Sequence, residues 1–196
     1  MKRQDVRRVL LVRHPETHAN ASRCYLGKSD SEYTLAGAEQ LTRIVAAVAE
    51  FRPQELYTSP LARCTRAARA VATPGLDPFV VDGLAEIDFG EADGLTYDET
   101  LTFDVPVSLE GDGPVARGGE RLDAFRERVL EAGESVGPGL DGRVVVVTHG
   151  GVMRLLLGAW LGLSEEQMWR FDIQPGCMAM LRMHEDGAVL ESLHTP

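Results

Sequence analysis

The sequence predicts an α/β protein built on a mostly parallel sheet. Two short apolar runs, 9–12 and 144–147, are rich in valine, and each is followed by a polar segment that contains a histidine. Runs of this length and β-branched content are typical of buried strands rather than helices. Segments with helical periodicity lie between them, and strands that alternate with helices favour parallel pairing. The length of 196 residues fits one domain, 1–196.

Short apolar segments between glycine, proline and charged residues are the predicted strands. Val144–Val147 is apolar at every position, so we expect it at the centre of the sheet with both faces covered. The last two strands are joined by Glu185-Asp186-Gly187 and predict a closing hairpin. In chain order the predicted strands are 6–12, 56–58, 79–81, 144–147, 177–183 and 188–193.

Helices are predicted where capping residues precede a period of 3.6 residues. Thr34 is the expected N-cap of the first long helix, and Arg52-Pro53 ends it. Ser59 is expected to cap the next helix with Pro60 at its first position. Ser164–Gln167 has the pattern of a capping box. Two more helices are predicted, one that opens at 119–120 and breaks at 137–139, and one over 152–161. In chain order, the first and third of these five helices have the apolar faces Leu41, Ile44, Val45, Val48 and Leu122, Phe125, Val129.

Residues 82–118 are the predicted cap, because periodicity weakens there and glycine and proline recur. The net charge of −10 is concentrated in this part of the chain, where Arg117 is the one base among the acids from Asp82 to Glu120. A solvated surface loop explains this charge most simply. Repulsion of large polyanionic substrates is the alternative.

Composition excludes several classes of partner. A nucleic-acid partner would need a basic footprint, and none is visible. No apolar stretch approaches the roughly 20 residues that span a bilayer, and Met1–Asp5 carries no apolar signal region. Cys24, Cys64 and Cys177 are far apart and odd in number, which favours reduced thiols. We therefore expect a cytoplasmic protein.

Basic and hydroxyl side chains follow the first strand directly. Arg13 and His14 come at the carboxyl end of the run, where ligand sites of open α/β sheets lie. Thr17 and Asn20 add neutral hydrogen-bonding groups. This combination suits a tetrahedral oxyanion such as a phosphoryl group.

Four ordered motifs resemble the histidine phosphatase superfamily, which includes the cofactor-dependent phosphoglycerate mutases. They are Arg13-His14-x-x-Thr17-x-x-Asn20, Thr58–Arg63, Leu84–Gly90 and Thr148–Gly151, and the resemblance extends from residue 9 to about 183. It implies a three-layer α/β/α phosphoglycerate mutase-like fold with a mostly parallel sheet and an irregular cap insertion.

The resemblance also implies roles for individual residues. His14 would be the nucleophile that forms a phosphohistidine, with its other ring nitrogen donating to a backbone carbonyl. Glu86 would protonate the leaving group and then activate water. Arg13, Arg63 and His149 would clamp the phosphoryl oxygens, and the remaining substrate-binding positions are Thr17, Asn20, Leu26, Gly27 and Gly150.

Several of these residues also have a purely structural explanation. His14 could be a hydrogen-bonded core residue, the arginines could form surface ion pairs, and Asp88 and Glu91 compete with Glu86. His14 and His18 are four apart, but the loop around Pro15 argues against a metal-binding helix. We expect no metal and no cofactor.

Two positions depart from the family pattern. Pro15 replaces the usual glycine and removes a backbone N–H from the phosphate site. Arg121 replaces the usual serine after Gly118-Gly119-Glu120, which puts a substrate contact from that position in doubt.

The expected partner is a small phosphorylated metabolite, and a homodimer is left open. A single base in the cap favours hydrolysis over mutase activity, since the mutase branch uses extra basic residues there. Gln167–Phe171, Gly176-Cys177 and Cys24–Gly27 resemble the α-ribazole phosphatase branch. The competing hypotheses are a broad phosphomonoesterase, a mutase, and an inactive relative that only binds phospho-ligands.

Overall fold

A six-stranded sheet forms the middle layer of the protein. The computed structural model describes residues 7–137 and 141–195. The strands are β1 Arg8–Arg13, β2 Glu55–Thr58, β3 Phe79–Val80, β4 Arg143–Thr148, β5 Met178–His184 and β6 Gly187–His194. Their order across the sheet is β3-β2-β4-β1-β5-β6. The first four in that order are parallel, and β5 and β6 join antiparallel. The predicted α/β class, mostly parallel sheet and closing hairpin are confirmed.

Helices cover both faces of the sheet. In chain order, the α-helices of the described residues are α1 His18–Ala21, α2 Leu35–Phe51, α3 Ala62–Val71, α4 Tyr97–Thr102, α5 Leu122–Val136, α6 Gly150–Leu161 and α7 Glu165–Met168. Val144 and Val146 of β4 pack in one core cluster with α5 and α6. Val145 and Val147 pack in the other with α2 and α3. Because β4 is buried on both faces, it is the central strand that its apolar sequence predicts.

Capping residues set the helix limits largely as predicted. Thr34 accepts a hydrogen bond from Gly37 N at 3.0 Å, and α2 ends where Arg52 takes a left-handed conformation before Pro53. Ser164 forms the predicted capping box of α7. Pro138 and Gly139, predicted to break α5, lie outside the described residues, as does Val6 at the start of the first predicted strand.

Two predicted helix starts are wrong. Ser59 does not cap α3, whose N-cap is Leu61 and which has no side-chain cap. The reason is that Ser59 N still bonds Val147 O at 3.0 Å, so Ser59 continues the sheet. Helix α5 begins at Leu122 rather than at 119–120. The reason is that Glu120 N donates to Asp88 O at 2.8 Å and Glu120 O accepts from Val115 N. That pairing ties this segment to the cap.

The cap is largely irregular, as predicted, but it contains the short helix α4. Thr96 and Glu99 form a capping box at its start. A small apolar cluster of Ala92, Val105 and Ala116 holds the cap together. Across the described ranges 7–137 and 141–195, no helix is long and apolar enough to cross a membrane.

Candidate active site

The two predicted active-site histidines meet at the carboxyl ends of neighbouring strands. β1 and β4 pair in parallel with Arg13 opposite Thr148, so His14 and His149 emerge side by side. Their ring centroids are 5.2 Å apart with the planes inclined at 63°. Both side chains are buried. The sheet therefore brings together two residues 135 positions apart in sequence.

His14 is held as a neutral imidazole in a single tautomer. Its Nδ1 lies 2.8 Å from the Pro15 carbonyl oxygen, and a carbonyl only accepts, so Nδ1 carries the proton. Burial first, and then the charges of Arg13 and Arg63, hold the pKa of His14 well below its usual range. Nε2 therefore keeps a free lone pair, which is what a nucleophile needs. This is the backbone contact predicted for His14.

His149 is fully buried and its Nε2 lies 2.7 Å from the Ser59 hydroxyl. Burial, followed by the charge of Arg63, holds the pKa of His149 well below its usual range. This histidine is therefore also neutral at physiological pH. The sequence does not predict the Ser59 contact, because a serine before a proline is equally typical of a helix cap.

Arg13 lies across the first turn of α6. A Cβ atom at Gly150 would lie 3.3 Å from the Arg13 guanidinium, so glycine allows this close approach. Nη1 donates to Ile173 O at 2.5 Å, whereas the buried Nε has no partner among the described residues. Burial lowers the pKa of Arg13 to about 10, which leaves it charged at neutral pH. Nη1 of the guanidinium group is therefore engaged by Ile173, whereas Nε can donate to an anion.

Arg63 is buried, and it anchors the loop that follows α1. Its Nη1 donates to Ser29 O at 2.8 Å, and its Nη2 donates to Leu26 O at 3.2 Å and Gly27 O at 2.8 Å. Its Nε has no partner among residues 7–137 and 141–195. Neither Arg63 nor Arg13 forms an ion pair within those same ranges, so surface ion pairing does not explain them.

Glu86 lies against the start of α6. Its Oε2 accepts from Gly151 N and its Oε1 from Ile87 N, both at 3.1 Å. A Cβ atom at position 151 would lie 2.5 Å from Oε1. Gly150 and Gly151 thus place the Arg13 cation and the Glu86 carboxyl group at successive positions of one helix.

The competing acids are engaged elsewhere. Asp88 pairs with Lys28 at 2.6 Å and Glu91 pairs with Arg117 at 3.2 Å. Neither lines the cavity beside His14, whereas Glu86 does. The choice of Glu86 over these two acids agrees with the geometry.

A cavity of about 260 Å³ opens beside His14, Arg13 and Glu86. Its walls are mainly aromatic and aliphatic, with the added cation Arg154, whose guanidinium lies 5.1 Å from the Trp169 ring centroid. Sequence reasoning missed Arg154, although it follows Gly150 by one helical turn on α6. The apolar walls are Tyr25, Leu26, Ile87, Phe89, Leu109, Leu122, Phe125, Leu155, Met168 and Trp169.

Arg126 ties three segments together at this cavity. It donates to Gly111 O and Asp112 Oδ1, both at 2.9 Å, and pairs with Glu165 at 3.0 Å. These contacts link α5, the cap and α7. The cap is therefore fastened at one side of the cavity by exposed polar groups.

The remaining predicted substrate contacts divide into two groups. Asn20 and Leu26 line the cavity, and Gly150 lies beside Arg13. Thr17 does not line it, because its hydroxyl is engaged with Asn20 Oδ1 at 3.0 Å and caps α1. Gly27 does not line it either; a Cβ there would lie 2.6 Å from Ile87 O. In this structure, Thr17 and Gly27 hold neighbouring groups in place. A direct contact of either residue with substrate stays a prediction.

The two departures from the family pattern have separate consequences. Pro15 is buried and contributes its carbonyl to His14. Arg121 is exposed, pairs with Asp123 at 2.7 Å and does not line the cavity.

Comparison with known proteins assigns the family. The family model described as "Histidine phosphatase superfamily (branch 1)" matches residues 9–196. The chain belongs to the histidine phosphatase superfamily. The resemblance of the four motifs is thereby confirmed.

Two relatives of this histidine phosphatase are named as phosphatases with different substrates. The chain is 32% identical over 161 residues to the metal-independent phosphoserine phosphatase of Arabidopsis thaliana, covering 78% of this chain and 68% of that one. It is 25% identical to the adenosylcobalamin/alpha-ribazole phosphatase of Escherichia coli K12, covering 96% of each. The crystal structure of the alpha-ribazole phosphatase from Shigella flexneri superposes with a TM-score of 0.81 at 26% identity, covering 95% of each chain. Together these similarities support a phosphatase.

Proposed function

We propose that this histidine phosphatase is a phosphomonoesterase that hydrolyses a small phosphorylated metabolite through a phosphohistidine at His14. The observation that carries the proposal is the state of His14: a buried, neutral imidazole with Nδ1 fixed on Pro15 O and Nε2 unprotonated. Arg13 lies beside it with free donors, and Glu86 lies on the α6 start.

The first half-reaction transfers the phosphoryl group to His14. Nε2 attacks phosphorus as the bond from phosphorus to the leaving oxygen breaks, and the Glu86 carboxyl group gives its proton to that oxygen. Charge spreads over the equatorial oxygens. Arg13, Arg63 and His149 are the donors proposed to stabilise it, and Asn20 adds a neutral amide.

The second half-reaction restores the enzyme. The Glu86 carboxylate takes a proton from water, the water oxygen attacks phosphorus, and the bond from phosphorus to Nε2 breaks to release inorganic phosphate. All the groups in this scheme are side chains of the chain itself, and we propose that turnover needs no metal or cofactor.

Hydrolysis of p-nitrophenyl phosphate in the presence of a chelator tests this function. We expect turnover by the native protein, an acid-labile phosphoenzyme in a rapid quench, and loss of both in His14→Asn. His18→Asn, which changes an exposed histidine on the neighbouring helix, is the matched control and should retain both. Equal turnover by the native and His14→Asn proteins would refute the assigned nucleophile. A native protein that binds vanadate but turns over no ester would support the inactive phospho-ligand-binding alternative.

We further propose α-ribazole 5'-phosphate as the substrate. Ten of the twenty residues that line the cavity are aromatic or aliphatic, which suits a leaving group with an aromatic base better than a small polar alcohol. The similarity to alpha-ribazole phosphatases over nearly the whole chain supports the same choice.

A substrate panel separates this choice from its rivals. It contains α-ribazole 5'-phosphate, phosphoserine, 3-phosphoglycerate and fructose phosphates, compared by kcat/KM. Comparable values throughout would indicate a broad phosphomonoesterase. Rapid isomerisation of 3-phosphoglycerate would indicate a mutase, although the one cap base, Arg117, is paired with Glu91. Action in the cytoplasm, a single domain and the oligomeric state remain predictions.

A further inference from the structure

Ser59 lies in a position to control which nitrogen of His149 carries a proton. β2 and β4 are parallel neighbours, so Ser59 at the end of one strand meets His149 at the end of the other. Both side chains have no exposed surface, and Ser59 Oγ lies 2.7 Å from His149 Nε2. Water does not compete for this hydrogen bond.

The direction of this hydrogen bond follows from the other partner of the hydroxyl group. Leu61 N donates to Ser59 Oγ at 3.3 Å, which occupies one lone pair. The hydroxyl proton then needs an acceptor, since an unsatisfied buried hydroxyl group is costly. Two acceptors lie within its reach, His149 Nε2 at 2.7 Å and the Cys64 sulfur, whose pKa a hydrogen bond from Ser59 lowers. A thiol sulfur is a weak acceptor, so the imidazole nitrogen takes the proton's hydrogen bond.

We infer that Ser59 donates to His149 Nε2 and thereby holds the proton of His149 on Nδ1. A neutral imidazole has one N–H, so a protonated Nδ1 leaves Nε2 as the acceptor. His149 then presents a neutral Nδ1–H donor. Ser59 is a positioning residue that acts through His149, and it does not cap α3.

The low pKa of His149 agrees with this assignment. Burial and the charges of Arg63, His14 and Arg13 disfavour imidazolium, so His149 cannot donate from both nitrogens at neutral pH. The tautomer consequently decides whether it has a donor to offer a phosphoryl oxygen. The part of the inference that concerns phosphoryl binding depends on the proposed function; the tautomer itself does not.

Cys64 is the competing donor. Its Sγ lies 3.4 Å from His149 Nε2, 3.7 Å from His149 Nδ1 and 3.4 Å from Thr148 O. A thiol is a weaker donor than a hydroxyl group, and the Ser59 contact is shorter. Burial raises the pKa of Cys64 above its usual range, so it stays a neutral thiol. Cys64→Ala is therefore the matched control for Ser59→Ala.

Nitrogen-15 NMR of the histidine rings reads the tautomer directly. In the native free protein, we expect the His149 pattern of an Nδ1-protonated ring, assigned by its loss in His149→Asn. Ser59→Ala should shift it toward the Nε2-protonated form, whereas Ser59→Thr and Cys64→Ala should not. An Nε2-protonated ring in the native protein would overturn the inference even if no Ser59 variant folds. An unchanged tautomer in folded Ser59→Ala, or a change in Cys64→Ala, would overturn it as well.

Kinetics supply the second readout. Removing an oxyanion donor lowers kcat by roughly 100- to 1,000-fold, and because Ser59 acts indirectly we expect Ser59→Ala to lower kcat by about 10- to 100-fold on p-nitrophenyl phosphate. Ser59→Thr should restore most of it. An altered tautomer with unchanged kcat would overturn the phosphoryl-binding part alone. Absence of turnover in the native protein would count against the proposed function and leave the NMR result standing.

Discussion

The lack of a side chain at Gly151 determines where the carboxyl group of Glu86, the proposed general acid, can lie. The Glu86 carboxyl group fills the space where a Cβ would lie, 2.5 Å from Oε1, and it also accepts the Gly151 amide at 3.1 Å. The carboxyl group, unlike the glycine backbone, is free to move. A side chain at position 151 should therefore displace Glu86 while α6 remains intact.

We predict that Gly151→Ala lowers kcat by roughly 100-fold, the scale of a lost general acid, without unfolding the protein. Steady-state kinetics with p-nitrophenyl phosphate and a circular-dichroism melt measure the two effects. Gly113→Ala, where an added Cβ meets nothing within 4 Å, is the control and should leave kcat unchanged. Equal kcat in the two variants would show that Glu86 is not confined by Gly151.

At the scale of single residues, the sequence predicts positions best for histidine, arginine and glutamate, whose chemistry beside a phosphoryl group is specific. His14, His149, Arg13 and Glu86 are brought together as expected. For Thr17 the structure shows a helix cap at the start of α1, and its contact with substrate stays a prediction. Ser59 is predicted as a helix cap, but in the structure its hydroxyl group lies beside His149 Nε2. A hydroxyl group suits either use, so the sequence alone does not decide between them.

At the scale of elements, α5 supports the segment that carries Glu86. Arg128 pairs with Glu120 at 2.7 Å and donates to Gly83 O, Ala85 O and Glu86 O at 2.7–3.1 Å. Glu120 in turn accepts from Asp88 N at 3.3 Å. These contacts fix the backbone on both sides of the proposed acid. The motif Gly118-Gly119-Glu120 thus acts through Arg128.

We predict that Arg128→Met lowers kcat about tenfold or more and the free energy of unfolding by about 1–3 kcal/mol, because three backbone carbonyls lose their donor. Kinetics and urea unfolding measure these changes. Arg117→Met, which removes an exposed ion pair with Glu91 worth about 0–1 kcal/mol, is the control. A loss of stability with unchanged kcat would show that Arg128 does not position Glu86.

Elements were predictable where local sequence and tertiary structure agree. α2 has its cap, its apolar face and its stop within one segment, so its limits follow from sequence. The fifth helix starts later than predicted because Glu120 pairs with Asp88, a contact 32 positions away that no local pattern reveals. Arg128 was missed for the same reason.

On the scale of the whole molecule, the two buried histidines make folding sensitive to acid. Their pKa values lie well below the ordinary 6.5 in the folded protein, whereas in the unfolded chain they return to that value. Below about pH 6.5 the unfolded state therefore binds protons that the folded state does not. Stability is flat above this pH for these two groups and falls as the pH drops below it.

We predict that each of these histidines contributes about 1.4 kcal/mol of lost stability per pH unit between pH 6.5 and its folded-state pKa. Urea unfolding at pH 7.5, 6.5 and 5.5 measures the slope. Replacing both by asparagine should flatten it, and the exposed His18→Asn is the matched control. The same slope in the double variant would show that other groups cause the acid sensitivity.

The Gly151 amide provides a spectroscopic probe inside the site. Because this N–H donates to Glu86 Oε2, its chemical shift should follow the length of that hydrogen bond. Glycine amides resonate apart from most others, so one isotopically labelled cross-peak can report the arrival of a ligand, with no dye and no added label at the reaction centre.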